Sequence, residues 1–77
     1  MSARATATRL LAGALMIGED RVPADARLGK IDQWDSLAHA RLLLALEEKL
    51  GRMLTTDEAV AIEGIDDIAR LVATAKS

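Results

Sequence analysis

Residues 34–51, WDSLAHARLLLALEEKLG, carry the strongest helical pattern in the chain. A helix is predicted to begin at Asp35 or Ser36, because both residue types cap helix N-termini. It is predicted to end near Leu50, because Gly51 readily takes the left-handed conformation that ends helices. The predicted apolar face comprises Leu37, Ala40, Leu43, Leu44, Leu46 and Leu50, and the predicted solvent-facing side comprises Arg41, Glu48 and Arg52.

The chain before this helix predicts one further helix and a long loop. Residues 3 to about 16 have apolar side chains at helical spacing, with Ser2 as the expected N-cap and Gly18 as the expected stop. Residues 18–33 contain proline and glycine and have no sustained period, which predicts an ordered loop along one edge of a bundle. The side chains expected to hold this loop to the core are Val22, Leu28 and Ile31.

Two shorter helices are predicted after Gly51. Thr55 and Glu58 have the spacing of a capping box, which begins a short helix extending to about Ile62. Gly64 interrupts the pattern, and a last helix follows with acidic residues in its first turn. The prediction is therefore one all-α domain over residues 1–77, a four-helix bundle with three longer helices, a short third helix and a long loop between the first two.

Composition excludes several classes of function. The 77 residues include no cysteine, which removes disulfides, thiolate metal sites and thiol catalysis. The net charge of −2 and the absence of a run of like charge argue against nucleic-acid binding. No segment has the roughly 18 apolar residues of a membrane span. The first 18 residues have some features of a targeting peptide, but Glu19 and Asp20 follow the apolar run, so we expect a structural first helix and a cytoplasmic protein.

The sequence offers no constellation for catalysis or metal binding. His39 is the one histidine, and no cysteine can pair with it. Glu47 and Glu48 are adjacent on a helix, where neighbouring side chains do not face each other. No glycine-rich phosphate loop or metal-ligand spacing is present. We therefore expect a protein that is not itself an enzyme.

Ser36 is notable for its position at the start of the strongest helix. A helix N-terminus presents free backbone N–H groups and about half a positive charge, which favours a phosphate ester. The alternative is that Asp35 or Ser36 only caps the helix.

The surrounding sequence resembles the acyl carrier protein family. The resemblance lies in Asp35-Ser36-Leu37 at the head of a helix, then in the apolar stretch that ends in Ala45-Leu46-Glu47-Glu48 and Gly51. Asp57-Glu58-Ala59, Ile62 and Asp67 continue it without a gap, and residues 1–33 match in architecture more than in letters.

The resemblance implies a covalent cofactor. The family's serine, matched by Ser36, receives 4′-phosphopantetheine from coenzyme A through a phosphopantetheinyl transferase, and the arm's thiol carries an acyl group as a thioester. Asp35 and Leu37 are implied to assist recognition at this site. The implied partners are that transferase, an acyl- or aminoacyl-carrier ligase and downstream acyl-transfer enzymes, with no metal bound by the carrier.

The resemblance also implies surfaces for partners and cargo. The residues expected to contact partners are Trp34, Leu37, His39, Arg41, Leu44, Glu47 and Glu48. The residues matching the family's acyl pocket are Leu46, Leu54, Ala59 and Ile62, for which ordinary core packing is the alternative. Trp34 could instead cover the loop's apolar residues, and His39 could lie near a phosphodiester on Ser36 or remain a solvated surface residue.

One departure from the family's pattern concerns charge. Ala38-His39-Ala40-Arg41 follows the serine where fatty-acid carriers usually have carboxylates. This favours a specialised pathway, such as polyketide biosynthesis, over housekeeping fatty acid biosynthesis. Two alternatives remain open: an aminoacyl or peptidyl carrier of a nonribosomal-peptide-type pathway, and a non-covalent helical adaptor. A monomer is expected in each case.

Overall fold

The computed structural model describes residues 2–74, so Met1 and residues 75–77 of the predicted domain lie outside it. Four helices, α1 (Ala3–Leu15), α2 (Ser36–Leu50), α3 (Thr56–Ala61) and α4 (Ile65–Thr74), follow one another, with a 3-10 turn at Glu19–Arg21. The predicted all-α bundle with a short third helix and a long first loop is confirmed. Within these residues no helix has the length and apolar character needed to cross a membrane.

Helix α1 has the predicted extent, but a different residue ends it. The Ser2 side chain accepts a hydrogen bond from the N–H of Ala5. The predicted stop at Gly18 is wrong, because Met16 takes the left-handed conformation with φ of 61°. The N–H of Ile17 bonds to the carbonyl of Ala12, which closes a Schellman motif around this methionine. The hydrogen bonds of the motif thus hold a conformation that ordinarily favours glycine.

Helix α2 has the predicted limits but a different buried face. Gly51 ends it at a φ of 73°. The side chains buried against the core are Ala38, Leu42 and Leu46, one helical turn apart. Leu37 and Leu44, expected on the apolar face, are 62% and 67% exposed, and Ala40 is also exposed. Because leucine occupies positions 42, 43 and 44, more than one side of the helix could be buried. Packing against the rest of the bundle selects the side that contains Leu42.

The core lies where α1 packs against α2 and α4. Trp34, which precedes α2, is only 1% exposed and is the largest buried side chain. Burial of these side chains is the main source of stability in a domain of this size. The core members are Ala7, Leu11, Ala14, Leu15, Ala26, Trp34, Ala38, Leu42, Leu46, Ile62, Ile65 and Ile68.

The long loop is fastened by its backbone to the junction between α3 and α4. The N–H of Leu28 donates to the carbonyl of Glu63 at 2.8 Å, and the N–H of Ile65 donates to the carbonyl of Ala26 at 3.0 Å. Val22 and Ile31 pack against the core as predicted, but Leu28 is 40% exposed, which corrects its expected role. The loop is therefore ordered by backbone pairing as well as by apolar contacts.

Candidate functional site

The α2 N-terminus leaves the hydroxyl of Ser36 free. Asp35 is the N-cap: its Oδ1 accepts a hydrogen bond from the N–H of Ala38 at 2.9 Å. Ser36 is the first helical residue and is exposed. Its hydroxyl makes no hydrogen bond with any residue between 2 and 74. The structure thus assigns the cap to Asp35 and leaves Ser36 without a role in holding the helix.

The electrostatics at this end of α2 suit an attached anion. The backbone N–H groups in the first turn of a helix have no intrahelical acceptor, and the helix dipole adds a partial positive charge there. The first turn of α2 contains no acidic residue, although the capping carboxylate of Asp35 lies beside Ser36. A phosphate ester on Ser36 could therefore receive the N–H groups that Asp35 does not use.

Trp34 and His39 are joined by a hydrogen bond beside this site. The indole Nε1–H of Trp34 donates to Nδ1 of His39 at 3.0 Å, and the ring planes are inclined by 27°. Since the indole is almost fully buried, Trp34 presents no surface to a partner, and its predicted partner contact is corrected. The alternative prediction was that Trp34 covers the loop's apolar residues, and Trp34 lies in the core cluster against which Val22 and Ile31 of the loop pack.

A surface groove of about 400 Å³ runs between α2, α3 and the long loop. His39 and Leu43 line it from α2, three and seven residues after Ser36 and so on the same side of the helix. The remaining lining residues are Leu28, Ala59, Val60, Ile62 and Glu63. The groove is predominantly apolar. Its α2 residues follow Ser36 along the helix by one and two turns.

Two of the four residues predicted to form an acyl pocket line this groove. Ala59 and Ile62 are among its walls. Leu46 is fully buried in the core, and Leu54 is half-buried and packs against it. These two side chains do not line the groove and contribute to the packing of the bundle. Contact with an acyl chain stays a prediction for all four.

Some of the predicted partner residues are exposed, and others take part in contacts within the bundle. Leu37, Arg41, Leu44 and Glu48 are exposed along α2. Glu47 is half-buried, and its Oε2 accepts a hydrogen bond from the N–H of Leu54 at 3.0 Å. These four exposed side chains offer a surface on which Arg41 is the one basic group.

A bidentate ion pair holds the start of α3. The guanidinium of Arg52 bonds both carboxylate oxygens of Glu58 at 2.9 and 2.8 Å. Glu58 also accepts a hydrogen bond from the N–H of Thr55, which confirms the predicted capping box. Arg52 and the backbone of Thr55 lower the pKa of Glu58 from 4.5 to about 2. The groove's α3 wall is thus anchored at its first turn.

Leu43, Val60 and Glu63 were not among the predicted site residues. Leu43 was assigned only to the apolar face of its helix, and Val60 only to the short helix. Their spacing in the sequence gives no sign that they meet. They meet only because the folded chain brings residues of α2 and α3 to the same groove.

No protein-family model, curated protein or solved structure matches the chain. Among residues 2–74, no three His, Cys, Asp or Glu side chains are grouped so as to hold a metal ion.

Proposed function

We propose that this chain is a carrier protein that holds an acyl group on a 4′-phosphopantetheine arm attached to Ser36. The bound arm supplies a thiol, on which the cargo is held as a thioester. The chain itself binds and presents the cargo and performs no chemistry on it. We further propose a specialised biosynthetic pathway in the cytoplasm, where coenzyme A is available, and a monomeric carrier.

The observation that supports this proposal is the separation of roles between Asp35 and Ser36. A serine that capped α2 would have a sufficient structural explanation. Here the carboxylate of Asp35 accepts the N–H of Ala38, and the hydroxyl of Ser36 is exposed. Together with the resemblance around Asp35-Ser36-Leu37, a free hydroxyl at this helix end is best explained as an attachment site.

The attachment is a phosphoryl transfer catalysed by a separate transferase. Ser36 Oγ attacks the phosphorus of coenzyme A that bears the pantetheine, and a new O–P bond forms. The bond from that phosphorus to the oxygen of the adenosine phosphate breaks, and 3′,5′-adenosine diphosphate leaves. The hydroxyl proton passes to solvent through the transferase, which holds the magnesium ion in its own site.

The surroundings of Ser36 suit the later steps of carriage. The groove begins on the same side of α2 as Ser36 and has apolar walls formed by Leu43, Ala59 and Ile62. It can shelter part of an acyl chain, with the gap between α2 and α3 opening as the chain enters. The exposed Leu37 and Leu44 remain available for the carrier ligase and for downstream acyl-transfer enzymes.

An aminoacyl or peptidyl carrier is the second candidate. It is favoured by the apolar and basic character of the exposed half of α2 around Leu37, Ala40 and Arg41, where no carboxylate occurs. The two candidates differ in the ligase that loads the arm. Loading by an amino-acid adenylating enzyme, with no loading by an acyl-activating ligase, would favour the second.

The proposal is tested by intact mass. The protein is incubated with coenzyme A, magnesium and a transferase of broad specificity, and a gain of one phosphopantetheine group on Ser36 is expected. Ser36→Ala should show no gain, whereas Ser2→Ala should be modified like the parent chain. If the folded parent chain gains no mass, the carrier function is wrong and a non-covalent helical adaptor becomes the better explanation.

A further inference from the structure

The imidazole ring of His39 lines the apolar groove, and its hydrogen bond to Trp34 determines which ring nitrogen carries the proton. Its walls are aliphatic except for His39 and Glu63. Glu63 Oε1 lies 3.4 Å from the guanidinium of Arg27, so its carboxylate already has a cationic partner. Among the side chains that line the groove, His39 is therefore the one that can donate a hydrogen bond to a neutral ligand.

The tautomer of His39 follows from its partner. The indole N–H of Trp34 can only donate, so Nδ1 of His39 must accept and cannot carry a proton. The neutral ring then carries its proton on Nε2, which leaves one N–H donor. Because Trp34 is packed in the core, its position is fixed, and the hydrogen bond in turn restricts the His39 ring.

We propose that the Nε2–H of His39 donates a hydrogen bond to an oxygen atom of the group carried on Ser36. This inference rests on the proposed carrier function. The acceptor is a neutral carbonyl or hydroxyl oxygen, belonging either to the pantetheine arm or to an acyl chain substituted close to its thioester. His39 lies one turn after Ser36 on the same side of α2 and lines the groove. Trp34 is the positioning residue that holds the donor in its tautomer.

An oxygen-bearing cargo is expected to be retained better than a plain chain of the same length. When a chain fills the groove, a donor that is cut off from water and left without an acceptor disfavours a wholly aliphatic occupant, whereas a hydroxyl satisfies it. The carrier should therefore shelter a 3-hydroxybutyryl thioester more than a butyryl thioester. Hydrolysis of the former, normalised to its coenzyme A thioester, is expected to be about fivefold slower.

Four states of the protein locate the acceptor. The apo, holo, butyryl and 3-hydroxybutyryl forms are prepared with the transferase and the corresponding coenzyme A species, and intact mass checks each one. The nitrogen resonances of His39 are then recorded in labelled protein at pH 8. In the apo form a single tautomer with the proton on Nε2 is expected. A change in Nε2 already in the holo form assigns the acceptor to the arm, and a change only with 3-hydroxybutyryl assigns it to the cargo.

Paired variants separate donation from folding. Asparagine at position 39 places an acceptor near the position of Nδ1 and removes the donor at the position of Nε2, whereas glutamine places an N–H near the position of Nε2. His39→Asn should abolish the difference between the two thioesters, and His39→Gln should retain part of it. A change that merely loosens the groove alters both hydrolysis rates together and leaves their ratio unchanged.

Failure of this inference is distinct from failure of the carrier function. An apo form with the proton on Nδ1, or loaded forms that leave Nε2 unchanged, would overturn the role of His39 while the carrier function stands. An equal ratio of hydrolysis rates in the parent chain and in His39→Asn would overturn the donation to cargo. A folded protein that gains no arm by mass overturns the carrier function, and the inference falls with it.

Discussion

The indole Nε1–H of Trp34 and the Nδ1 atom of His39 form a hydrogen bond of 3.0 Å that joins the core to the surface of α2. The donor belongs to the largest buried side chain, and the acceptor lines the groove one turn from Ser36. A change in either residue is therefore expected to affect both the stability of the bundle and the groove.

Replacing His39 by leucine should destabilise the protein. The indole N–H of Trp34 would lose its acceptor, and a buried unpaired donor costs about 1–3 kcal/mol. His39→Asn should lose less, because its side-chain oxygen can accept in place of Nδ1. Urea unfolding followed by the fluorescence of Trp34, which is the one tryptophan in the chain, measures both free energies. Equal losses in the two variants would show that the hydrogen bond contributes nothing to stability.

Ser36→Ala and Asp35→Ala should separate modification from capping. Ser36→Ala is expected to prevent attachment of the arm while changing the free energy of unfolding by less than about 0.5 kcal/mol, since the hydroxyl caps nothing. Asp35→Ala should lower that free energy by about 1 kcal/mol through loss of the cap. Circular dichroism during urea unfolding checks both values. A large loss of stability in Ser36→Ala would instead give the serine a structural role.

Alanine at Gly64 and at Gly13 should have opposite effects. A Cβ at Gly64 would lie 3.1 Å from the carbonyl oxygen of Ala26 and 3.4 Å from Cγ of Arg27. Because the carbonyl belongs to the backbone pairing that fastens the loop, Gly64→Ala should destabilise the protein by about 1–3 kcal/mol. A Cβ at Gly13 meets nothing within 4 Å, so Gly13→Ala should stabilise α1 by about 1 kcal/mol. Thermal unfolding of the two variants tests this contrast.

Acidification should weaken the attachment of α3. The hydrogen bonds from Arg52 and from the N–H of Thr55 lower the pKa of Glu58 from 4.5 to about 2. A carboxyl with a lowered folded-state pKa stabilises the fold when ionised, so its contribution is present above pH 4.5 and is lost as the pH falls toward about 2. Glu58→Gln should flatten the dependence of the urea midpoint on pH in this range, and Arg52→Gln should weaken it. A slope in Glu58→Gln as steep as in the parent chain would contradict the assignment.

Under the proposed carrier function, Arg41→Glu should improve use of the protein by housekeeping fatty-acid enzymes. The resemblance to acyl carriers implies partner enzymes with basic patches, and the exposed guanidinium of Arg41 would repel such patches close to Ser36. The gain should appear mainly in KM and should shrink as salt is added, because exposed charges are screened beyond about 8 Å at physiological ionic strength. Arg21→Glu makes the same change of charge in the long loop and should have a smaller effect. Equal effects of the two variants would mean that only net charge matters.

Local signals in the sequence predicted the elements of this fold well. The limits of α2, the cap at Ser2 and the box of Thr55 and Glu58 each depend on residues within four positions of one another. The identity of the residue that ends α1 was not predictable in this way, because the left-handed conformation of Met16 is held by hydrogen bonds and no glycine marks the position.

The sequence by itself determined that the chain is helical, where the helices begin, and that a serine stands at the head of α2. It left open whether Asp35 or Ser36 caps that helix and which leucines are buried. It also gave no sign of the hydrogen bond between Trp34 and His39. The structure decided these points for two reasons. The burial of Leu42 and Trp34 depends on residues brought together by packing, whereas the cap depends on which side chain at the head of α2 accepts the N–H of Ala38. Leu42 is buried on the face of α2 that packs against α1, and residues of α2, α3 and the long loop meet at the groove. Helix starts that are marked by typical capping residues follow from sequence, whereas contacts across the bundle depend on how all the apolar faces are buried at once.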